Sequence, residues 1–222
     1  MSKSTRPTRR YDATRRRAQA GQTRARIIEA ATRAFLGSGY AGATIPRIAE
    51  DAGVAVETVY RSASGKAGLL VAAVQAALAG SAEHGDLPVE ERPGIRRVIE
   101  ETDPSRQLAL YAATLPGVHR RVGPLLRVLD AAAASEDALV AVRDQMQAGR
   151  LDGMRGFASL LAERGALRPG LTVQRAADVL WTVCAESNYR ALVTAREWTE
   201  YDYRDWVTTT LQHALLATEP AC

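Results

Sequence analysis

Only two of the 222 residues are cysteine, Cys184 and the terminal Cys222. They match neither a metal-ligand spacing nor a disulfide framework, so a reducing compartment, the cytoplasm, is expected. No apolar run approaches the roughly 18 residues that a transmembrane helix needs, and no membrane partner is expected. The N-terminal segment also lacks the apolar stretch of a secretory signal. Histidine is as scarce: His84, His119 and His213 lie far apart. There is no H-E-x-x-H pair, no Gly-rich phosphate loop and no G-x-S-x-G elbow. Histidine and Cys184 together have no paired spacing for a metal. Enzyme activity therefore has no recognisable machinery here, and neither metal nor cofactor is expected.

Aromatic residues make up 5% of the chain against 46% hydrophobic residues in all, so the core must be built mainly of Ala, Leu and Val. Ala and Leu favour helix, and few stretches alternate apolar with polar as half-buried strands do. An all-α fold is predicted. The formal charge is +4, but it is unevenly placed. Residues 1–26 hold nine basic side chains against one acid, Asp12, which leaves the remainder at a net −4. A basic end on a mildly acidic body points to a polyanionic partner.

Residues 1–20 are polar, hold Pro7 and show no apolar period; they are expected to form a basic, flexible arm. A helix is predicted from about Thr23 to Leu36, with Ile27, Ala31 and Phe35 at helical spacing. Gly37 and Gly39 end it. Further helices are predicted over Ile45–Ala52, Ala55–Arg61 and Lys66–Ala79, before a loop at 80–93 rich in Gly, Asp and Pro. The remainder divides at Pro and Gly into helices near 94–102, 105–115, 118–133, 135–165, 172–197 and 200–217. Gly149, Gly153 and Gly156 predict a kink or break within 135–165. The expected domains are thus a head at 21–65, a larger body at 66–217 and a short tail at 218–222.

The informative segment runs from Thr44 to Tyr60. Thr44 is placed to cap a short helix, Pro46 is tolerated in its first turn, and Gly53 breaks it ahead of a second short helix. Ala49 is small where the two helices must cross closely, and Ile48, Val54 and Val59 are spaced to share a core. This is a helix-turn-helix pattern behind an Arg-rich arm.

Residues 24–70 resemble the DNA-binding head of the TetR family of bacterial regulators. The resemblance rests on Ile27-Ile28-Glu29-Ala30-Ala31 with Phe35, Gly39-Tyr40, Thr44 through Ala52, Gly53-Val54, Thr58-Val59-Tyr60 and Gly65-Lys66 with Leu69-Leu70. It implies a three-helix head on a larger helical domain that binds an effector and dimerises. The implied function is a sequence-specific DNA-binding regulator, a repressor released from a palindromic double-stranded DNA operator by a small-molecule effector. Ser62 and Ala63 depart from the pattern, since the family often has a ring residue and then Phe there. Their absence removes a phosphate contact and a core contact between the third and fourth helices. A basic-arm protein that binds DNA without sequence preference, or a small-molecule enzyme, are the alternative readings.

In a helix-turn-helix the second helix enters the major groove. Here it offers Ala55, Val56, Glu57 and Thr58. Val56 and the Thr58 methyl suit a thymine methyl, and Glu57 either accepts from cytosine N4 or supports its own helix N-terminus. The resemblance assigns phosphate contacts to Tyr60 and Lys66. Thr44, Arg47 and Arg61 are further candidates for the backbone, and Arg15, Arg16, Arg17 and Arg24 for the backbone or the adjacent minor groove. The resemblance also implies a homodimer. Two stripes at helical spacing suit it: Leu180, Cys184, Asn188 and Leu192 on one helix, and Trp206, Thr210, Leu211 and Ala214 on the last. Packing within one subunit would use the same stripes. Tyr111, His119, Met146, Met154, Phe157, Trp181 and Tyr189 are the candidates for effector contact, with ordinary core packing as the competing reading.

Overall fold

The computed structural model of the protein describes residues 8–82 and 84–217, with side chains from residue 18 onward. Its regular elements are helical, and the one strand-like feature is an antiparallel bridge between Leu167 and Leu216. The chain divides into two compact units, one up to Asp86 and one from Leu87. No single helix among the described residues is long and apolar enough to cross a membrane.

The first unit is built on α1 (Thr8–Gly42), α2 (Ile45–Ala52), α3 (Val56–Ser62) and α4 (Gly65–Ala79). The stripe of α1 is buried as its period requires: Ile27, Ala31 and Phe35 are fully enclosed. The helix starts far earlier than that stripe, so residues 8–20, expected as a flexible arm, are helical. Apolar periodicity is silent on such a segment, but beyond Pro7 it is rich in Arg and Ala, which favour helix by themselves. The start of the expected arm, residues 1–7, and the expected tail, 218–222, lie outside the described residues. Gly39 (φ 68°, ψ 179°) interrupts α1 as predicted. Helix α4 buries Leu69, Leu70, Ala73 and Val74 and packs on α1, so the first unit extends past position 65.

The second unit holds α5 (Pro93–Glu100), α6 (Pro104–Ala133), α7 (Asp137–Glu163), α8 (Val173–Val183), α9 (Glu186–Tyr189) and α10 (Glu200–Leu215). Local chemistry explains the helix starts. Asp103 accepts the Arg106 N–H at 2.7 Å and Thr172 accepts that of Arg175 at 3.3 Å. Thr199 and Asp202 exchange side-chain and backbone hydrogen bonds as a capping box. The core joins α6, α7, α8 and α10 around Leu108, Leu115, Leu161, Leu180, Tyr203 and Leu211.

Three predicted boundaries differ. The helices expected at 105–115 and 118–133 are one helix, α6, with Pro116 and Pro124 inside it. Each proline removes one i→i−4 hydrogen bond, and burial of Leu115, His119, Val122 and Leu125 holds the helix through that loss. Helix α7 runs unbroken through Gly149, Gly153 and Gly156. All three are exposed, while Met154, Ala158 and Leu161 are buried; packing of that face overrides the glycine cost. Conversely, the helix expected at 172–197 breaks at Cys184. There Asn188 Nδ2 donates to the carbonyls of Thr182 (2.7 Å) and Val183 (3.2 Å), satisfying the open end of α8. The chain re-enters helix as α9 and widens into a π-type turn over Arg190–Thr194, where Ala195 N–H reaches the Arg190 carbonyl at 3.0 Å.

Because a Cβ at Gly153 meets nothing within 4 Å, Gly153→Ala is expected to raise the stability of the second unit by about 0.5–1 kcal/mol. Leu180→Ala should lower it by about 2–5 kcal/mol. Urea unfolding midpoints of the two variants, moving in opposite directions, check both.

Candidate nucleic-acid interface and interior polar cluster

Helix α2 begins at Thr44, whose Oγ1 accepts the Arg47 N–H at 3.4 Å, and ends at Gly53 in the left-handed region (φ 64°, ψ 43°). A side chain is strained at that φ, so glycine is what lets the chain turn within three residues into α3. Val54 N–H bonds the Ala49 carbonyl at 3.0 Å and closes the turn. Ile48, Ala49 and Val59 are buried together, as their spacing requires, and Val54 is half-buried. The opposite side of α3 is open: Ala55, Glu57, Tyr60 and Arg61 are exposed, and Val56 and Thr58 partly so. Tyr60 is a large apolar ring left 58% exposed.

Three of the cations near α3 make contacts within the first unit. Arg47 pairs with Glu50 (3.1 Å) and Asp51 (3.2 Å) on its own helix, and Arg61 donates to Thr58 Oγ1 at 3.1 Å. Lys66 donates to the Ala41 carbonyl at 3.2 Å and lies 4.5 Å from the centroid of the Tyr40 ring. Exposed pairs of this kind contribute at most about 1 kcal/mol, so phosphate can displace them at small cost.

Arg24, a candidate for the DNA backbone, also makes contacts within the first unit. Its Nε and Nη2 both donate to the Asp86 carboxylate at 3.0 Å, while Nη1 donates to the Ser62 carbonyl at 2.5 Å. The guanidinium holds the Asp86 carboxyl below the usual range and is itself raised by the bond. The fork ties the last residue of α3 to α1 and to the loop after α4. It therefore supports α3 where Ser62 and Ala63 offer no large side chain to pack. Asp86 was invisible as a partner in the sequence, because 62 residues separate it from Arg24. The side chains of Arg15, Arg16 and Arg17 lie outside those described.

The second unit brings six of the seven effector candidates into one region. Tyr111 packs on Phe157 (ring centroids 5.0 Å apart) and donates to Met154 Sδ at 3.7 Å. His119 sits 5.4 Å from Tyr189 and 6.1 Å from Tyr203 by ring centroid. Trp181 packs against the same core. Met146 is the exception: it is partly exposed on α7, outside that core. Burial pushes the Cys184 thiol up to about 12, raises the Tyr111 and Tyr203 phenols, and lowers His119 to about 4. His119 is therefore neutral near pH 7. Arg150, which carries no local sequence signal, reaches this group from α7. It donates to the Trp181 carbonyl at 2.5 Å and lies 5.0 Å from that ring's centroid. Only its partner carbonyl, on another helix, would have revealed it. Among the described residues no three His, Cys, Asp or Glu side chains gather as a metal site.

The dimer candidates divide. Leu180, Cys184 and Leu211 are 2% exposed or less within this chain, so they cannot face a second subunit. The helical stripe was right in period, but the fold turns it inward. Asn188 is occupied in closing α8. Leu192, Trp206, Thr210 and Ala214 are partly exposed. Trp206 and Thr210 line an open groove with Trp198, Asp202, Asp205 and Thr209.

Comparison with known proteins agrees with this architecture. Residues 27–73 match the sequence profile of bacterial regulatory proteins of the tetR family. The chain is 34% identical over 176 residues to the HTH-type transcriptional regulator ArpR of Pseudomonas putida, covering 75% of this chain and 79% of that one. It is 33% identical, with the same coverage, to the HTH-type transcriptional regulator TtgR of Pseudomonas putida. Among solved structures, a TetR-family regulator of Mesorhizobium loti has the same fold, with TM-score 0.66, 20% identity, and 88% of this chain matched to 96% of that one. NalD of Pseudomonas aeruginosa, the secondary repressor of the MexAB-OprM multidrug efflux pump, superposes with TM-score 0.61 at 19% identity, over 89% of this chain and 98% of that one.

Two expectations follow from the geometry. Arg24→Ala should weaken duplex binding roughly tenfold through loss of the α3 support, with Arg24→Lys restoring part of it; gel-shift titration of the three proteins is the check. For His119, a folded-state value of about 4 against about 6.5 unfolded means that the unfolded chain takes up the proton first. Its share of stability is full above about pH 6.5 and is lost on acidification toward pH 4, at no more than about 1.4 kcal/mol per unit. Urea unfolding between pH 7 and 4.5 should show a shallower acid loss in His119→Gln than in the parent.

Proposed function

The chain belongs to the TetR family of bacterial regulators and is a DNA-binding transcriptional regulator, and on that premise we propose a ligand-released repressor acting as a homodimer on a palindromic operator. The observation behind this reading is the open face of α3, Glu57, Tyr60 and Arg61 with Val56 and Thr58 beside them and Ala55 just before, on a short helix held from behind by Val59 and at its end by Arg24. Relatives that share this architecture include one described as a repressor.

Base readout by α3 is sparse. No Arg, Asn or Gln stands among Ala55, Val56, Glu57 and Thr58. Val56 and the Thr58 methyl contact thymine methyls, and Glu57, exposed in the first turn, accepts from cytosine N4. Sequence-dependent DNA shape supplies the rest of the preference. Thr44, Arg47, Tyr60, Arg61 and Lys66 hold phosphates and set the register. Lys66 leaves the Ala41 carbonyl or shares its remaining donors, since an ammonium has three.

A single head of this size reads too little sequence, and a second subunit supplies the other half-site. The dimer face lies on the outer edge of α10, around Trp206 and Thr210, with Leu192 and Ala214 at its margins. An effector enters the second unit among Tyr111, His119, Met154, Phe157, Trp181 and Tyr189. It releases DNA by binding the DNA-incompetent state more tightly than the competent one.

Selection from random duplexes with the purified chain should enrich an inverted repeat with half-sites about 10 base pairs apart or a multiple of that. A preference for that repeat that survives added salt separates this reading from non-specific binding; equal retention of all duplexes would overturn it. Lys66→Ala should weaken binding to every sequence and reduce the salt slope by about one unit.

A further inference from the structure

We propose that the interior of the second unit is an anion site, which takes a small organic acid on an apolar body with Arg150 as the counter-ion. The inference rests on the reading above that this unit senses a ligand, and it names the class of that ligand.

Arg150 is a partly buried cation that pairs with no carboxylate among the described residues. Its guanidinium has five N–H donors, and one is seen bonded, to the Trp181 carbonyl. The acids of this region are already taken. Glu186 lies 3.6 Å from Arg127, and Glu200 accepts from Arg120 at 2.7 Å and from the Tyr189 hydroxyl at 3.0 Å. The cation therefore faces the interior without a counter-charge. Burial disfavours it, and the groups that feel its field are Tyr111, His119, Cys184 and Tyr203, all neutral near pH 7.

Buried polar atoms without partners point the same way. Both ring nitrogens of His119, the Tyr203 hydroxyl and Trp181 Nε1 have no hydrogen-bond partner. His119 is 6% exposed and Tyr203 fully buried. Folded interiors rarely leave such atoms unpaired, and here neutral imidazole, phenol and indole each offer an N–H or O–H. Water satisfies those three groups but leaves the charge of Arg150 uncompensated. A carboxylate supplies that charge with a bidentate fit to guanidinium and accepts from whichever of those N–H and O–H groups it reaches, leaving the acceptor nitrogen of His119 to water. Beside it, Tyr111, Phe157 and Met154 supply an apolar wall suited to a ring or short alkyl chain.

The test measures binding of benzoate, 1-naphthoate and decanoate, each against its neutral amide, to the full chain by calorimetry. It is repeated on R150M and R150K. At least one acid should bind about tenfold or more tightly than its amide, R150M should bring that pair to within about threefold, and R150K should keep most of the preference, a tenfold difference being about 1.4 kcal/mol. Amides binding as well as acids, an acid preference that persists in R150M, or no acid binding up to millimolar concentration would each overturn the proposal. If R150M fails to fold, the acid–amide comparison on the parent chain still decides. The selected operator duplex, followed in the same samples, keeps the two claims apart. Release by amides but not acids removes the anion assignment and leaves ligand sensing in place, while operator binding without ligand is read independently of both.

Discussion

The seven residues from Val56 to Ser62 form a helix too short to persist in water by itself, because nucleation costs more than so few backbone bonds return. The organisation of the first unit follows from that. Gly53 turns the chain tightly enough for α2 to lie against α3, and Ile48, Ala49 and Val59 close the shared core. The buried stripe of α1 backs both helices, with Phe35 stacked on Tyr40 at 5.9 Å. At the far end, where Ser62 and Ala63 offer little to pack, Arg24 fastens the Ser62 carbonyl and is itself held by Asp86. The exposed side of α3 is thus presented by supports that lie behind it.

The second unit works under the opposite constraint. Its helices are held by apolar burial strong enough to carry two prolines inside α6 and three glycines inside α7. Within that core it nonetheless encloses an imidazole, a phenol and an indole without partners, next to a guanidinium without a counter-charge. Polar groups in such surroundings cost stability unless paired, and sites that lower stability for a purpose are where ligands act. The proposed organic acid is what would offset that cost.

Much of the head was legible beforehand. The stripe Ile27, Ala31 and Phe35, the Thr44 cap and the Gly53 turn all lie where local chemistry placed them. The body was legible only in kind. Pro116 predicts a helix boundary and Gly149, Gly153 and Gly156 predict a kink or break, yet tertiary packing overrides each. The break at Cys184 went unseen because its cause, the Asn188 amide on the carbonyls of Thr182 and Val183, follows the break instead of preceding it. Leu180, Cys184 and Leu211 have the period of an interface stripe, but period alone does not tell an inner face from an outer one.

What the sequence by itself determined is the helical class, the basic N-terminal end and the helix-turn-helix, since capping, left-handed glycine and 3.6-residue periodicity act between residues a few positions apart. What only the tertiary structure decided is which polar groups meet: Arg24 with Asp86 across 62 positions, and Arg150 with Trp181 across 31. Such pairings depend on how whole helices are packed against one another, and no local pattern in the chain encodes that arrangement.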